Sequence, residues 1–299
     1  MKILITGAAG FIARALVRDL EARGHEPVLL DRVDPATATV FVPGSADRAP
    51  APLDTRRHRY IRAEIGDLDA MTSAVAGCDA VVHLAAAVSG DWAVAVPTFS
   101  ANALGTFTVL EACRRGGVRR FGCASSINAF GTFYWRVSGR PSPYTVLPLR
   151  EDAPTAVEDA YSLGKLVGEE VCATFTRAWG MTTAAFRFAA VAADPLIVAW
   201  RKEAPPAAWS DDLWQWVHID DVAAGLVDWL VHPAPPAHGV YTLGAGDTRV
   251  REPTMDLLRR LRPDLAAQVR APIAGRDPLL AIDRARAAFG YAPRHRMHP

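Results

Sequence analysis

The sequence predicts an α/β fold: a doubly wound parallel sheet with helices on both faces and a small C-terminal subdomain. Three observations predict it. Short apolar runs of strand length alternate with longer amphipathic segments through the first 190 residues, the pattern of parallel strands joined by helices. A glycine-rich turn, Thr6-Gly7-Ala8-Ala9-Gly10-Phe11-Ile12-Ala13, closes the first apolar run and opens the first helical one. Half of the 299 residues are hydrophobic, enough to cover both faces of such a sheet.

Each element follows in order. Residues 2–6 read as the first strand; the run is too short for a signal peptide and ends in the glycine turn. Residues 11–23 read as a helix ended by Gly24, and 27–31 as the second strand. Residues 32–58 are rich in Pro, Ala and Arg, show no period, and read as a long loop. Strand 60–63, short helix 68–76 and buried strand 80–84 follow, then a helix at 98–115 and a strand at 119–124. Residues 131–158 hold Pro141, Pro143, Pro148 and Pro154 and read as a loop. A helix at 159–179 and a strand at 182–188 complete the regular alternation. Beyond Ala190 it weakens. Residues 194–216 carry Trp200, Trp209, Trp214 and Trp216 and begin the smaller subdomain, whose rings read more readily as core than as a sugar platform. Helix 219–231 and strand 240–242 read as a return to the main sheet.

Charge excludes several classes. With 33 basic and 32 acidic residues, nothing favours nucleic acid or an anionic membrane as partner. No stretch approaches the roughly 20 apolar residues of a membrane helix. Cys78, Cys113, Cys123 and Cys172 show no CxxC spacing and no histidine cluster, so the expectation is reduced thiols, a cytoplasmic location and no metal site.

The glycine turn is suited to a dinucleotide. Glycine lets backbone N–H groups approach a phosphate, and the helix N-terminus adds partial positive charge. That makes Gly7, Ala9, Gly10, Phe11 and Ile12 candidate cofactor contacts in a Rossmann-type half. Asp31 ends the second strand, where a carboxylate accepts ribose hydroxyls and repels a 2′-phosphate. It favours NAD, while the neighbouring Arg32 leaves NADP open.

The second motif is Tyr161-Ser162-Leu163-Gly164-Lys165, a phenol and an ammonium on one helix face. A free tyrosine titrates near pKa 10 (about), too high for a base at neutral pH. A nearby cation and a positive nicotinamide both favour phenolate, which brings Tyr161 toward general acid–base use.

Together these motifs resemble the extended short-chain dehydrogenase/reductases, in the NAD-dependent epimerase/dehydratase group, over most of the chain. Ala13 stands where that family has a third glycine. Gly66-Asp67-Leu68 resembles the adenine-contacting segment, and His83-Leu84-Ala85-Ala86 the strand end lining the cofactor. Asn102-Ala103-Leu104-Gly105-Thr106 resembles the helix whose Asn orders the site; residues 283–293 resemble the closing helix and Gly-aromatic-x-Pro turn. Ser125-Ser126-Ile127-Asn128-Ala129-Phe130-Gly131 resembles the family's Ser-Ser-x-x-x-aromatic-Gly segment. The resemblance implies catalytic Ser126, Tyr161 and Lys165, with Tyr161, Lys165, Asp67, Leu68, Leu84, Ala85, Ala86 and Asn102 near the cofactor. Ser125, Ser126, Asn128, Arg187 and His218 are the expected substrate-side residues. Arg187 either reaches the pocket or pairs with a carboxylate. His218 and Asp221 either touch substrate or, the favoured reading, serve the following helix.

The resemblance also narrows the reaction. Ile127 and Asn128 occupy the positions where dehydratases carry an acid, and Arg187-Phe188-Ala189-Ala190 lacks the Asn of nucleotide-sugar enzymes. With a short 187–216 stretch, the layout resembles free-sugar or uronic-acid dehydrogenases. Phe133, Tyr134, Trp135, Arg136 and Arg140 of the long loop form either a substrate wall or a solvated loop with a packed anchor. The expected activity is hydride transfer at a secondary alcohol or ketone of a sugar-like substrate with NAD. The alternatives are an epimerase with tightly held NAD and a non-catalytic NAD-binding regulator; retained Tyr161 and Lys165 speak against the last. Residues 1–190 with 217–243 are expected to bind the dinucleotide, and 191–216 with 244–299 the substrate. A homodimer is expected through helices 98–115 and 159–179.

Overall fold

Seven parallel strands form the central sheet of the computed structural model, which describes residues 1–41 and 47–298. The chain runs β1 (Lys2–Thr6), α1 (Phe11–Ala22), β2 (Glu26–Asp31), β3 (Thr39–Phe41), β4 (Arg48–Pro50), β5 (Tyr60–Arg62), α2 (Leu68–Val75) and β6 (Ala80–His83). It continues through α3 (Ala95–Phe99), α4 (Gly105–Arg115), β7 (Arg120–Ser126), α5 (Ala160–Trp179), β8 (Thr182–Phe188), β9 (Val191–Ala192) and α6 (Asp194–Trp200). The remainder is β10 (Val217–His218), α7 (Ile219–Val231), β11 (His238–Leu243), α8 (Thr254–Leu261), α9 (Pro263–Ala266) and α10 (Asp283–Phe289).

The sheet order is β11-β8-β7-β6-β1-β2-β5. β1 lies between β2 and β6, so the winding reverses there and opens a crevice beyond the C-terminal ends of β1 and β6. Ile3, Leu4 and Ile5 are completely buried because helices cover both faces of the sheet, which is why the strand reads as a continuous apolar run. Ala13 is buried against the same core; its single methyl group still admits close helix–sheet packing.

Three sequence expectations change. The loop expected at 32–58 contains an antiparallel ribbon, β3 with β4; residues 42–46 of it lie outside the described residues. Its strands are short and exposed, so no buried face imposed the alternation that marks a strand. The helix expected at 98–115 begins earlier, with a 3₁₀ turn at Trp92–Val94 followed by α3, a π-helical turn at Ser100–Leu104 and α4. Pro97 sits in the first turn of α3, where a missing N–H costs nothing. By length and composition alone, the run Trp92–Arg115 could cross a membrane, contrary to the expectation of no such stretch, and half of its apolar window is buried inside the fold.

The C-terminal segments share the apolar core of the sheet: Leu213, Leu258, Leu265 and Leu279 belong to one cluster with Ile5 and Phe186. β9 pairs with β10 in parallel beside it. Trp214 and Trp216 are buried and Trp209 meets Trp214 edge-on, so these rings are packing groups.

Candidate active site

The crevice is shaped by the turn between β1 and α1. Gly7 has φ +72° and an added Cβ would stand 2.6 Å from the backbone nitrogen of Ala85. The turn and the end of β6 are therefore pressed together in a way only glycine permits. Gly10 caps α1 without a side chain, which leaves the first-turn amides beside Phe11 and Ile12 available to an anion. Asp31 anchors the turn from the end of β2, accepting the Ala9 N–H at 3.0 Å and the Arg32 N–H at 2.8 Å. Leu84 and Ala85 line the opposite wall, where the Ala85 N–H donates to Thr6 Oγ1 at 3.3 Å. This cradle fits a dinucleotide: narrow at the glycines, lined by backbone N–H groups, with a carboxylate at the strand end. Asp67 is exposed and caps α2 through the Ala70 N–H, at 3.0 Å, with Leu68 half-buried after it.

Across the crevice, β7 and α5 bring Ser126, Tyr161 and Lys165 together. The β7 strand ends at Ser126, whose Oγ accepts the Asn128 N–H at 3.1 Å and whose side chain is near enough to the Tyr161 phenol to favour its ionised form. Asp159 caps α5 by accepting the Ser162 N–H at 2.8 Å, which fixes the helix start two residues before Tyr161. Lys165 lies one turn on; its Nζ is 5.6 Å from the centre of the Tyr161 ring and donates to the Ala124 carbonyl at 2.7 Å. Burial pushes the Tyr161 phenol up to about 12, opposed by the neighbouring Ser126 side chain. Burial also lowers the Lys165 ammonium, which nearby Cys123 and Glu169 oppose. The sequence expectation of a lowered Tyr161 is thus not met by the chain alone: desolvation outweighs the opposing effect of Ser126.

Asn102 lies in the π-helical turn and clamps the backbone of Ala87, donating to its oxygen and accepting its N–H, both at 2.9 Å. Gly164 makes room for it; a Cβ there would come within 2.8 Å of the Asn102 Cβ. Ala86 is exposed in the segment so held.

Three of the expected substrate-side residues are engaged elsewhere. Arg187 is 2% exposed and donates to both oxygens of Glu169, at 2.8 and 2.7 Å. Ser125 gives its hydroxyl to the same carboxylate at 2.5 Å. His218 caps α7 with Nδ1, accepting the Asp220 N–H at 3.1 Å. Asn128 is buried, placed by the 3₁₀ turn that holds Ser126. Glu169 was missed in the sequence although a signal exists: Tyr161, Lys165 and Glu169 stand at i, i+4 and i+8 on one helix face. Trp135, read in the sequence as part of either a substrate wall or a packed anchor, meets the Tyr161 ring edge-on with centres 5.2 Å apart.

Comparison with known proteins agrees with this architecture. A family model described as "NAD dependent epimerase/dehydratase family" matches residues 3–244. A UDP-glucose 4-epimerase of Corynebacterium glutamicum is 24% identical over 99% of this chain and 92% of its own length. The crystal structure of the Thermotoga maritima UDP-glucose 4-epimerase with UDP-glucose is similar with a TM-score of 0.69 at 21% identity, covering 99% of this chain and 95% of that one. A mutated uronate dehydrogenase gives 0.64 at 19% identity, covering 99% and 82%. At such identities the solved structures share the fold. The family match runs from β1 through β11 and takes in the glycine cradle, Ser126, Tyr161 and Lys165. The chain therefore belongs to the NAD-dependent epimerase/dehydratase family of enzymes.

Proposed function

We propose that the chain transfers a hydride at a secondary alcohol or ketone of a sugar-like substrate, with Tyr161 as general acid/base, Ser126 orienting the substrate oxygen and Lys165 assisting. The observation that carries this reading is the convergence of three side chains: Lys165 Nζ stands 5.6 Å from the centre of the Tyr161 ring, Ser126 at the end of β7 favours the ionised phenol, and the glycine cradle lies across the crevice. Bound NAD supplies the redox chemistry by accepting or donating the hydride. The turn from Gly7 to Ile12 would hold its pyrophosphate, Asp31 its adenosine ribose, Asp67 and Leu68 the adenine side, and Leu84 to Ala86 with Asn102 the wall toward the site. The Asp31 carboxylate supports NAD over NADP.

Tyr161 takes the substrate proton on oxidation and returns it on reduction, and Ser126 holds the substrate oxygen for that exchange. Because burial holds the phenol up to about 12, ionisation needs positive charge beside it, and Lys165 is a cation this chain provides. Positioning and local electrostatics supply the catalysis. Ala190 at the amide position and the withdrawal of Arg187 into an ion pair support a compact substrate. We assign residues 1–190 with 217–243 to the dinucleotide and 191–216 with 244–299 to the substrate. The free, mostly buried cysteines support a reducing, cytoplasmic setting. A homodimer is supported by the exposed apolar row Trp92, Val96, Phe99, Leu104 and Phe107 with Leu163 of α5.

Replacement of Tyr161 by Phe tests the reading: turnover is lost while NAD binding persists, and undiminished turnover refutes it. A second reading, epimerisation with tightly held NAD, is favoured by the Corynebacterium relative, similar over almost the whole chain. Epimerisation predicts cofactor retained through purification and no net NADH from any sugar; dehydrogenation predicts NADH accumulation.

A further inference from the structure

Trp135 bridges the two walls of the crevice. Its indole meets the Tyr161 ring edge-on, with centres 5.2 Å apart. The same indole rests on Gly90, in the segment that follows β6; a Cβ added to Gly90 would come within 2.1 Å of the indole Cγ. A contact at Cγ leaves the ring no local escape, so Gly90 and Trp135 are fitted to one another.

The loop is built to hold the indole there. Trp135 has φ +62°, a left-handed conformation rare for bulky residues and retained where surrounding structure imposes it. The next residue, Arg136, is the staple. It donates to the Gly131 carbonyl at 2.5 Å and the Arg140 carbonyl at 3.2 Å, and pairs with Glu158 at 2.7 Å. Glu158 in turn accepts the Ser138 N–H and hydroxyl, at 2.8 and 2.9 Å. Glu158 directly precedes the Asp159 cap, so the loop is fastened to the start of the helix that carries Tyr161.

We propose that Trp135 is a specificity-determining residue: its indole walls off the space between Tyr161 and Gly90, and so restricts the enzyme to compact alcohols that carry no bulky substituent on that side. This rests on the hydride-transfer reading and deepens it, because it states which part of a substrate the site rejects. An unconjugated ring fits that restriction; a ring extended on the Gly90 side does not.

The test uses the full chain with NAD and two probes of one ring size, cyclohexanol and trans-4-phenylcyclohexanol, followed by NADH production. Trp135→Ala should raise kcat/KM for the phenyl-substituted probe relative to cyclohexanol by about tenfold or more, the scale on which apolar pockets discriminate. Trp135→Phe should give a smaller rise. Gly90→Ala, which displaces the indole, should move the ratio in the same direction in the parent and not in the Trp135→Ala background. An unchanged ratio in Trp135→Ala overturns the proposal. A second arm needs no turnover: nitration of Tyr161 by tetranitromethane, read by peptide mass, should rise in Trp135→Ala and stay low in Trp135→Phe. Equal nitration in all three proteins shows that the indole does not wall this space. NADH from no probe in any variant, with nitration changed as expected, counts against hydride transfer on these alcohols and leaves Trp135 as the wall.

Discussion

At the scale of single residues, burial decides what each polar group does. Tyr161, Lys165 and His83 are all enclosed: Lys165 donates to the Ala124 carbonyl and His83 meets Thr6, while Tyr161 sits beside Ser126. On the function proposed above, replacement of Tyr161 by Phe removes the acid/base and should lower turnover by about 10²- to 10⁴-fold, measured at saturating NAD. His83 holds Thr6 Oγ1 through Nδ1 at 2.7 Å, and burial lowers its imidazole to about 3. The unfolded chain binds this proton more readily across the interval from about 6.5 down to about 3. The stability gained by keeping His83 neutral is complete above that interval and is lost as pH falls through it. Urea midpoints taken from neutral pH downward should therefore fall more steeply in the parent than in His83→Gln, the difference in slope being at most about 1.4 kcal/mol per pH unit. The Glu169–Arg187 pair gives a further prediction. Both side chains are nearly inaccessible, so Glu169→Gln leaves a buried guanidinium short of its counter-charge and should cost about 3–5 kcal/mol in chemical denaturation. By contrast, removing the exposed pair of Arg259 with Asp256 should cost under about 1 kcal/mol.

At the scale of elements, helix and strand ends carry the chemistry. α5 starts where Asp159 accepts the Ser162 N–H and hydroxyl, at 2.8 and 2.5 Å, and that start sets the height of Tyr161 over Ser126. Asp159→Ala should cost about 1–2 kcal/mol in thermal or urea unfolding and raise the fraction of enzyme with misplaced Tyr161, lowering kcat more than NAD affinity. The β1–α1 turn depends on Gly7 in the same way. Gly7→Ala combines a left-handed backbone with a Cβ against Ala85, so NAD affinity measured by nicotinamide fluorescence should collapse while the sheet still forms. The strand-and-helix alternation, the helix at 159–179 and the Tyr-to-Lys spacing were legible in the sequence because they are local. The β3–β4 ribbon was not, since short exposed strands leave no periodic trace. Nor was the true start of the helix before residue 98, where Pro97 in a first turn looks the same in sequence as Pro97 in a loop.

At the scale of the whole molecule, the apolar surface left outside the core is concentrated on the helical run from Trp92 through α4 and on α5. Trp92 is 61% exposed and Val96 80%, and together with Phe99, Ala160 and Leu163 they line an apolar groove. Two copies related by a two-fold axis would bury this groove as a four-helix contact. Light scattering after size exclusion should give twice the chain mass, and the double variant Val96→Asp, Leu163→Asp should give the single chain mass with an unchanged circular dichroism spectrum.

The parallel sheet, the glycine cradle and the Tyr161-to-Lys165 spacing were readable from the sequence alone, because each is written along one strand, turn or helix; Ser126 as their companion came from the resemblance to the family. Tertiary structure decided which charged side chains face the crevice. In sequence Arg187 stood open between the pocket and a carboxylate partner, and only the packing of β8 against α5 joins it to Glu169. In the same way, only the fold of the 131–158 loop brings Trp135 against Gly90 and Tyr161. These contacts join residues far apart in the chain, and side-chain periodicity reports which face of an element is buried, not which partner waits there.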